Sequence, residues 1–461
     1  MENKTRDIII IGAGLTGLTL AYYLKKADKN VLIIEKENKT GGVIQTISEN
    51  GFMYETGPST GVIGTIEIAE LFEDLQGKCE VEIAEKSAEK RFILKNGAWK
   101  TLPHSLISAI GTPLFTLKDK FRILGEPFRK RGTNPNESIA EMVKRRLGNS
   151  YLDYAVDPFI SGVYAGNPEK LITRFALPKL YALEQNYGSF IKGAIKKAKE
   201  PKPLGTEKVT RKVFSINGGL SKLTETLTKE IGNENILLKC NNAQVSNYKN
   251  LYSVEFVDSI GEKQQYQSSK IISTVGAYEI ANLFPFLSSE KTLAIANTNY
   301  ADVVQIAVGF DNWNHKPLEG FGGLIPSKEK RNMLGVLYPS AIFKNRTPKN
   351  GALMSVFVGG SKNLEMMNKT DIELKNIVIK ELNSTFGKIL SPDLIRIFKH
   401  KNAIAQYDIL SEKRLLEIDS IESEFKGLFL AGSIRDGIGM ADRVKQAKQL
   451  VNSLLEKWEK H

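Results

Sequence analysis

Apolar and polar positions follow two periods along this chain, and the periods lay out its elements. Four consecutive apolar residues, Ile8 to Ile11, run into glycines; Leu18, Ala21, Tyr22 and Leu24 then recur at helical spacing. A second apolar run, Val31 to Ile34, closes on Glu35. The order is strand, tight turn, helix, strand. From about Trp99 to Lys199 the pattern is mostly helical, punctuated by proline and glycine. Phe214 to Ile231 reads as a short strand, a Gly218-Gly219 turn and an amphipathic helix. Ala243 to Tyr248 and Tyr252 to Val257 alternate as in a small antiparallel meander, and Ile271 to Val275 reads as a buried strand. Further strands are expected at Val303 to Phe310 and Leu353 to Val358, and a helix at Asp371 to Phe386. The chain closes with the apolar run Leu428 to Ala431, a glycine-containing loop and a helix from about Arg443 to Trp458.

Composition narrows the class without naming a function. The 461 residues suffice for two or three packed units, and 41% hydrophobic with 25% charged residues describes a globular chain. The net charge of +12 is compatible with an anionic substrate, an anionic membrane surface or nucleic acid, and equally with a lysine-rich solvated surface. Two distant cysteines, Cys79 and Cys240, give no disulfide framework or thiolate metal site. His104, His315, His400 and His461 form no close ligand pair. A reducing compartment and no metal are expected. The apolar stretch near the start runs directly into glycines, unlike a secretory signal, and no run of about eighteen apolar residues suggests a spanning helix.

Gly12-Ala13-Gly14-Leu15-Thr16-Gly17 is a GxGxxG motif in the context that gives it meaning, after a strand and opening a helix. Gly12 permits the turn, Gly14 leaves room for a pyrophosphate, and Gly17 lets helix and strand pack closely. The helix N-terminus offers free N–H groups to the phosphates, and Glu35 would accept hydrogen bonds from ribose hydroxyls. Elements of this kind lie at the start, middle and end of the chain, so the dinucleotide domain is expected to be discontinuous.

After Glu35 come Gly41-Gly42, Thr46, Gly51-Phe52 and Glu55-Thr56-Gly57-Pro58. This continuation resembles the extended FAD signature of the amine oxidase and porphyrinogen oxidase superfamily. The stretch Phe429 to Ser433, followed by Asp436 to Met440, resembles the segment that lies beside the flavin there. With no cysteine in it, the flavin is expected to be non-covalent. The cofactor residues so implied are Gly12, Ala13, Gly14, Leu15, Thr16, Gly17, Glu35, Lys36, Gly42, Val43, Gly57, Pro58, Ser59, Thr60, Val245, Gly432, Ile438, Gly439 and Met440.

Tyr154 to Leu171, containing Ser161-Gly162-Val163-Tyr164-Ala165-Gly166, strongly resembles a signature of the protoporphyrinogen and coproporphyrinogen oxidases. Supporting matches recur at Asn217 to Leu220, Gly320 to Pro326 and Phe343 to Arg346, so the resemblance covers essentially the whole chain. It implies oxidation of a porphyrinogen to the porphyrin in haem biosynthesis, hydride transfer to FAD, and reduction of molecular oxygen to hydrogen peroxide. It implies four substrate contacts: Arg91 on a propionate, Leu324 and Phe343 sandwiching rings, and Gly162 at the pyrroles. Arginine suits the first because its guanidinium grips a carboxylate bidentately. Family members that carry an arginine just after Gly57-Pro58 differ from this chain, which reads Ser59-Thr60-Gly61-Val62. That departure leaves open the choice between dicarboxylate and tetracarboxylate substrates. Glu169, Asp157, Asp436 and Asp442 lie near signature segments but read as caps or surface charges, and no catalytic acid or base is assigned.

The expected fold is α/β. A discontinuous Rossmann-like FAD-binding domain takes residues 1–56, 212–280 and 420–461. An α+β substrate domain takes 57–93 and 281–419, and a helical insertion takes 94–211. The insertion interleaves Lys118, Lys120, Arg122, Arg129, Lys130 and Arg131 with Leu114, Phe115, Leu117, Phe121, Ile123 and Leu124, a composition that suits an anionic membrane surface. The expected location is cytoplasmic, or peripheral on the cytoplasmic face of the membrane, with handover to the next haem-pathway enzyme. Nucleic acid binding is not expected, because no recognised module accompanies the charge. Two other readings stand beside this one. A different flavin enzyme, an amine oxidase or a carotenoid desaturase, is disfavoured by Gln305 where amine oxidases carry lysine, and by Arg91. A flavoprotein that binds a porphyrin or lipid without turnover is the other.

Overall fold

In the computed structural model, residues 4–103, 108 and 111–458 are described; His104 and His461 lie outside them. The unbroken apolar runs become the strands of a parallel sheet, in the order Ile236–Leu237, Val31–Ile34, Ile8–Ile11, Ile271–Ser273, Leu428–Leu430. A strand covered on both faces must be apolar at every position, which explains why these runs do not alternate. Successive side chains still point to opposite faces. Ile8, Ile10, Val31 and Ile33 pack under the helices Leu15–Lys26, Ser221–Ile231 and Met440–Trp458. Ile9, Ile11, Leu32 and Ile34 pack against Val245, Tyr252, Val254 and Phe256 of a second sheet. That sheet is the expected meander, Asn241–Tyr248, Leu251–Val257 and Lys263–Ser268, extended by Lys4–Arg6.

A seven-stranded sheet forms the other large layer, in the order Leu394–Ala405, Tyr300–Phe310, Ala352–Gly359, Met333–Leu337, Gly322–Leu324, Arg91–Lys95, Ala98–Thr101. The helix Asp371–Phe386 covers it through Leu374, Val378 and Leu382. Its start is set by a capping box between Thr370 and Glu373, and its end by Gly387 at φ +64°. Two expectations shift here. Trp99 lies in a hairpin rather than in helical sequence, and the strand Arg91–Lys95 crosses the boundary expected at residue 94. The strand Arg91–Lys95 pairs with Gly322–Leu324, a distant segment that local periodicity does not reveal, and Trp99 pairs in turn with Leu94 of that strand.

A further group of helices lies between residues 117 and 199. Their hub is a buried ionic cluster. Arg146 Nε donates to Glu126 at 2.8 Å and Arg146 Nη1 to Glu184 at 3.0 Å, while Ser189 Oγ donates to Glu126 at 2.5 Å. Two fully buried carboxylates are tolerable only because each is paired and hydrogen-bonded. Among the described residues no helix is long and apolar enough to cross a membrane.

Candidate active site

The turn after Ile8–Ile11 is built as its glycines require. Gly12 sits at φ +104°, in the left-handed half of backbone space, and its N–H donates to Ile34 at 2.9 Å. A Cβ on Gly17 would lie 2.0 Å from the Gly12 carbonyl oxygen, so helix and turn touch backbone to backbone. Gly14 is different: a Cβ there would meet no protein atom within 4 Å. Gly42 faces it, with a Cβ 3.4 Å from the Gly14 Cα, and Gly41 N–H donates to the Ala13 carbonyl at 2.8 Å. Packing explains Gly17, whereas the bare space at Gly14 fits a ligand's phosphates at a helix N-terminus. Ala13, Leu15 and Thr16 are buried beneath this turn. The Glu35 carboxylate is aimed at it, accepting from Ala13 N–H at 2.6 Å and Glu37 N–H at 2.9 Å. Lys36 is exposed and paired with Glu279 at 2.9 Å, and Val43 is exposed near the same turn. Val245 is buried in the meander below.

The Gly57 to Thr60 loop is held by groups that the sequence does not mark. Gln305 Nε2, from the strand Tyr300–Phe310, donates to the Glu55 carbonyl at 2.9 Å and to Ser59 Oγ at 3.3 Å. His400 hydrogen-bonds the Thr56 carbonyl. A Cβ on Gly57 would collide with the Val43 carbonyl at 2.1 Å, and Pro58 follows at once. The Glu55 side chain accepts from Leu220 N–H at 2.8 Å and Thr46 Oγ1 at 2.7 Å. Burial pushes its carboxyl up to about 7, against those two hydrogen bonds and the nearby Arg346 charge.

The C-terminal loop is similarly braced. Gly432, at φ +90°, donates its N–H to Gln446 Oε1 at 2.6 Å, and Gln446 also reaches Asp436. Asp442 accepts from Gly439 N–H at 3.1 Å, so the last helix starts at Met440 and not near Arg443. Tyr407 Oη donates to the Gly437 carbonyl at 3.0 Å. Arg443 donates to the same carbonyl at 3.2 Å, and burial pulls its guanidinium below its ordinary value. Ile438 packs against the cluster of Ile160, Leu171 and Tyr407. Through this contact the C-terminal loop meets the Asp157–Val163 helix, more than two hundred residues away in sequence.

That helix is preceded by one turn of π-helix, Leu152–Val156, a distortion often found at functional sites. Phe159, Gly162 and Val163 are exposed on it, and a Cβ on Gly162 would lie 2.4 Å from Leu324 Cδ2. Leu324 stands in the strand that pairs in parallel with Arg91–Lys95. Arg91 is exposed, lies 5.4 Å from the Phe321 ring, and has no carboxylate partner among the described residues, although its neighbour Lys90 pairs with Glu319. Arg91, Gly162 and Leu324 are thus brought together around an apolar surface. Phe343 lies deeper, buried with Ala88, Val213 and Ile342 beside Phe321, with the Arg346 guanidinium 5.2 Å from its ring. Asp157 is no surface charge: it is buried, accepts from Ser327 N–H at 2.7 Å and pairs with Lys362. Glu169 pairs at the surface with Lys144, as a solvated charge does.

The sequence pattern of the flavin containing amine oxidoreductases matches residues 15–443, nearly the whole chain. The chain belongs to that family. It is an FAD-dependent oxidoreductase with FAD as its cofactor. Among relatives in the family, protoporphyrinogen oxidase 2, chloroplastic/mitochondrial, of Arabidopsis thaliana is 29% identical over 481 residues, covering 98% of this chain and 94% of that one. The coproporphyrinogen III oxidase of Bacillus subtilis (strain 168) is 24% identical over 479 residues, covering 99% of each. A crystal structure of a candidate protoporphyrinogen oxidase from Exiguobacterium sp. 255-15 superposes with a TM-score of 0.80 at 22% identity, over 98% of this chain and 99% of that one. The superposition shows that the fold is shared.

Proposed function

We propose that this flavoenzyme oxidises a porphyrinogen, protoporphyrinogen IX or coproporphyrinogen III, to the porphyrin as a step of haem biosynthesis. The observation that carries the reading is the surface joining Arg91, Gly162 and Leu324. An unpaired guanidinium stands on the strand beside half-buried Leu324, which packs against Gly162 of a helix that exposes Phe159 and Val163 and reaches the C-terminal glycine loop through Ile160. A macrocycle carrying propionates offers the matching chemistry, an apolar disc with anionic arms. Full-length relatives named for both porphyrinogens support it.

The residues present fit FAD. The Gly12 to Gly17 turn and the facing Gly42 would take the pyrophosphate, and Glu35 and Lys36 the adenosine end, with Val245 beneath. Val43, Gly57, Pro58, Ser59 and Thr60 would line the middle, and Gly432, Ile438, Gly439 and Met440 the ring, without a covalent bond. When bound, FAD accepts hydride equivalents from the substrate and passes the electrons to molecular oxygen, giving hydrogen peroxide. The chain's own work is to bind and orient. Arg91 anchors a propionate and Leu324 confines the rings, its position set by the tight contact with Gly162, while Phe343 acts from the buried layer beside Phe321. The start of the Met440–Trp458 helix presents its positive dipole end towards the ring site, favouring negative charge there. No acid or base is required of a side chain.

The helix Leu117–Leu124 buries none of its residues. Leu117, Phe121 and Phe128 are 71%, 68% and 85% exposed, amid Lys118, Arg122 and Lys130. Leu114 and Phe115, by contrast, are buried in the protein. This face supports a peripheral seat on an anionic membrane, on the cytoplasmic side, from which product would pass to the next enzyme. Aerobic kinetics of the purified holoenzyme on protoporphyrinogen IX and coproporphyrinogen III, read by porphyrin fluorescence and peroxide, test the reading and select the substrate. Absence of turnover with both refutes it and favours a binding flavoprotein.

A further inference from the structure

A second concave site lies at the opposite end of the parallel sheet from the glycine turn. Its volume is about 410 Å3, and its walls include Phe429, Leu454 and Trp458 as apolar surface, with Lys270, Lys426 and Lys457 among them. Lys29 joins the group, its Nζ 4.7 Å from the centre of the Trp458 ring, with Lys270 Nζ at 4.4 Å from the same centre. Three of these cations occupy equivalent places in the fold. Lys29, Lys270 and Lys426 each stand one or two residues before a parallel strand, ahead of Val31, Ile271 and Leu428. Ligands of open α/β sheets ordinarily sit beyond the other, C-terminal ends of the strands, where the Gly12 to Gly17 turn is. A strand of three or four residues separates the two ends by about 10 Å, so this cavity is no part of the proposed FAD site.

Its construction is specific. A Cβ on Gly427 would lie 2.2 Å from the Ser269 carbonyl oxygen, which holds two strand entries side by side and sets Lys270 next to Lys426. Tyr252 Oη donates to the Lys426 carbonyl at 2.9 Å and fixes that backbone. No ion pair is formed by Lys29, Lys270, Lys426 or Lys457 among the described residues, in a chain where many lysines do pair. Asp7, the acid whose charge bears on Lys270, is engaged by Asn30 N–H at 2.8 Å. Several unpaired ammonium groups around an indole and an apolar floor make a site for one kind of ligand.

We propose that this cavity binds a small amphipathic organic anion, an aryl or short acyl body carrying a carboxylate or sulfonate. The body lies on Phe429, Leu454 and Trp458, and the anionic group is held by Lys270 and Lys426. The volume suits a body of two or three rings. The probe is 8-anilinonaphthalene-1-sulfonate, titrated into the FAD-loaded protein and followed by its fluorescence. Saturable binding is expected, weakened about tenfold or more in a Lys270→Met/Lys426→Met double variant, with flavin content and turnover unchanged. The uncharged N-phenyl-1-naphthylamine is expected to bind at least about tenfold more weakly than the sulfonate. Equal affinity of the double variant and the wild type, equal affinity for the uncharged probe, or no saturable binding overturns the proposal. Should the double variant lose its flavin or its melting transition, the single variant Lys426→Met, at an exposed position, carries the same comparison.

Discussion

The second and third glycines of the N-terminal turn should fail in different ways when each is changed to alanine. At Gly14 the backbone is at φ −73°, ψ 178°, which alanine adopts freely, and the added Cβ meets no protein atom within 4 Å. The apoprotein should lose no more than about 1 kcal/mol, the cost of a poorer residue at the helix N-cap. The methyl group instead enters the space assigned to the pyrophosphate. Forcing an extra carbon into a filled site costs roughly 1–3 kcal/mol, which raises the FAD dissociation constant by about 5- to 150-fold. At Gly17 the same Cβ would stand 2.0 Å from the Gly12 carbonyl oxygen and 3.1 Å from its carbon. Both are backbone atoms of the turn, so relief requires the helix to move off the strand. Gly17→Ala should therefore destabilise the apoprotein itself, at or beyond the top of that ~1–3 kcal/mol range. Thermal melts of both apoproteins, with FAD titration of whichever folds, separate the effects. If Gly14→Ala bound FAD as tightly as the wild type, the phosphates do not pass Gly14, and the cofactor path proposed here is wrong.

Three further outcomes are expected. Replacing Arg91 with alanine should raise KM for porphyrinogen about tenfold, the worth of one lost charge-assisted pair, while flavin stays bound; an unchanged KM assigns Arg91 to the surface. Glu55 prefers its protonated form in the fold, with its carboxyl raised from 4.5 to about 7, so its contribution is full below the unfolded value and is lost as pH rises through 7. The loss is of order 3 kcal/mol, and Glu55→Gln should raise the melting temperature at pH 8 more than at pH 5; equal shifts at both pH values would count against a buried carboxyl. Phe121→Ser with Phe128→Ser should abolish sedimentation with vesicles containing phosphatidylglycerol while leaving turnover of detergent-solubilised substrate intact, and vesicle binding by the variant would refute the membrane seat.

Local pattern alone determined much of the cofactor half of this protein. A parallel strand buried on both faces must be apolar throughout, and a helix pressed onto a turn must carry glycine at the contact. Ile8 to Gly17, Val31 to Glu35 and Leu428 to Gly432 are therefore legible as a Rossmann-like core before any fold is known. The helix Asp371–Phe386 was equally legible, because its capping box and closing glycine are local signals. Other features were decided only by the assembled chain. Arg91 joined a sheet because Gly322–Leu324 lies beside its strand, Trp99 followed as that strand's hairpin partner, and the strand Leu394–Ala405 carries no clean alternation to announce it. Gln305, His400 and Gln446 brace the cofactor loops through hydrogen bonds to backbone groups up to 344 residues away. Asp157 looked like a cap and proved to be a buried partner of Lys362. A periodic pattern records which face of an element is buried. It does not record which distant backbone group a polar side chain will satisfy, because that depends on how the layers stack.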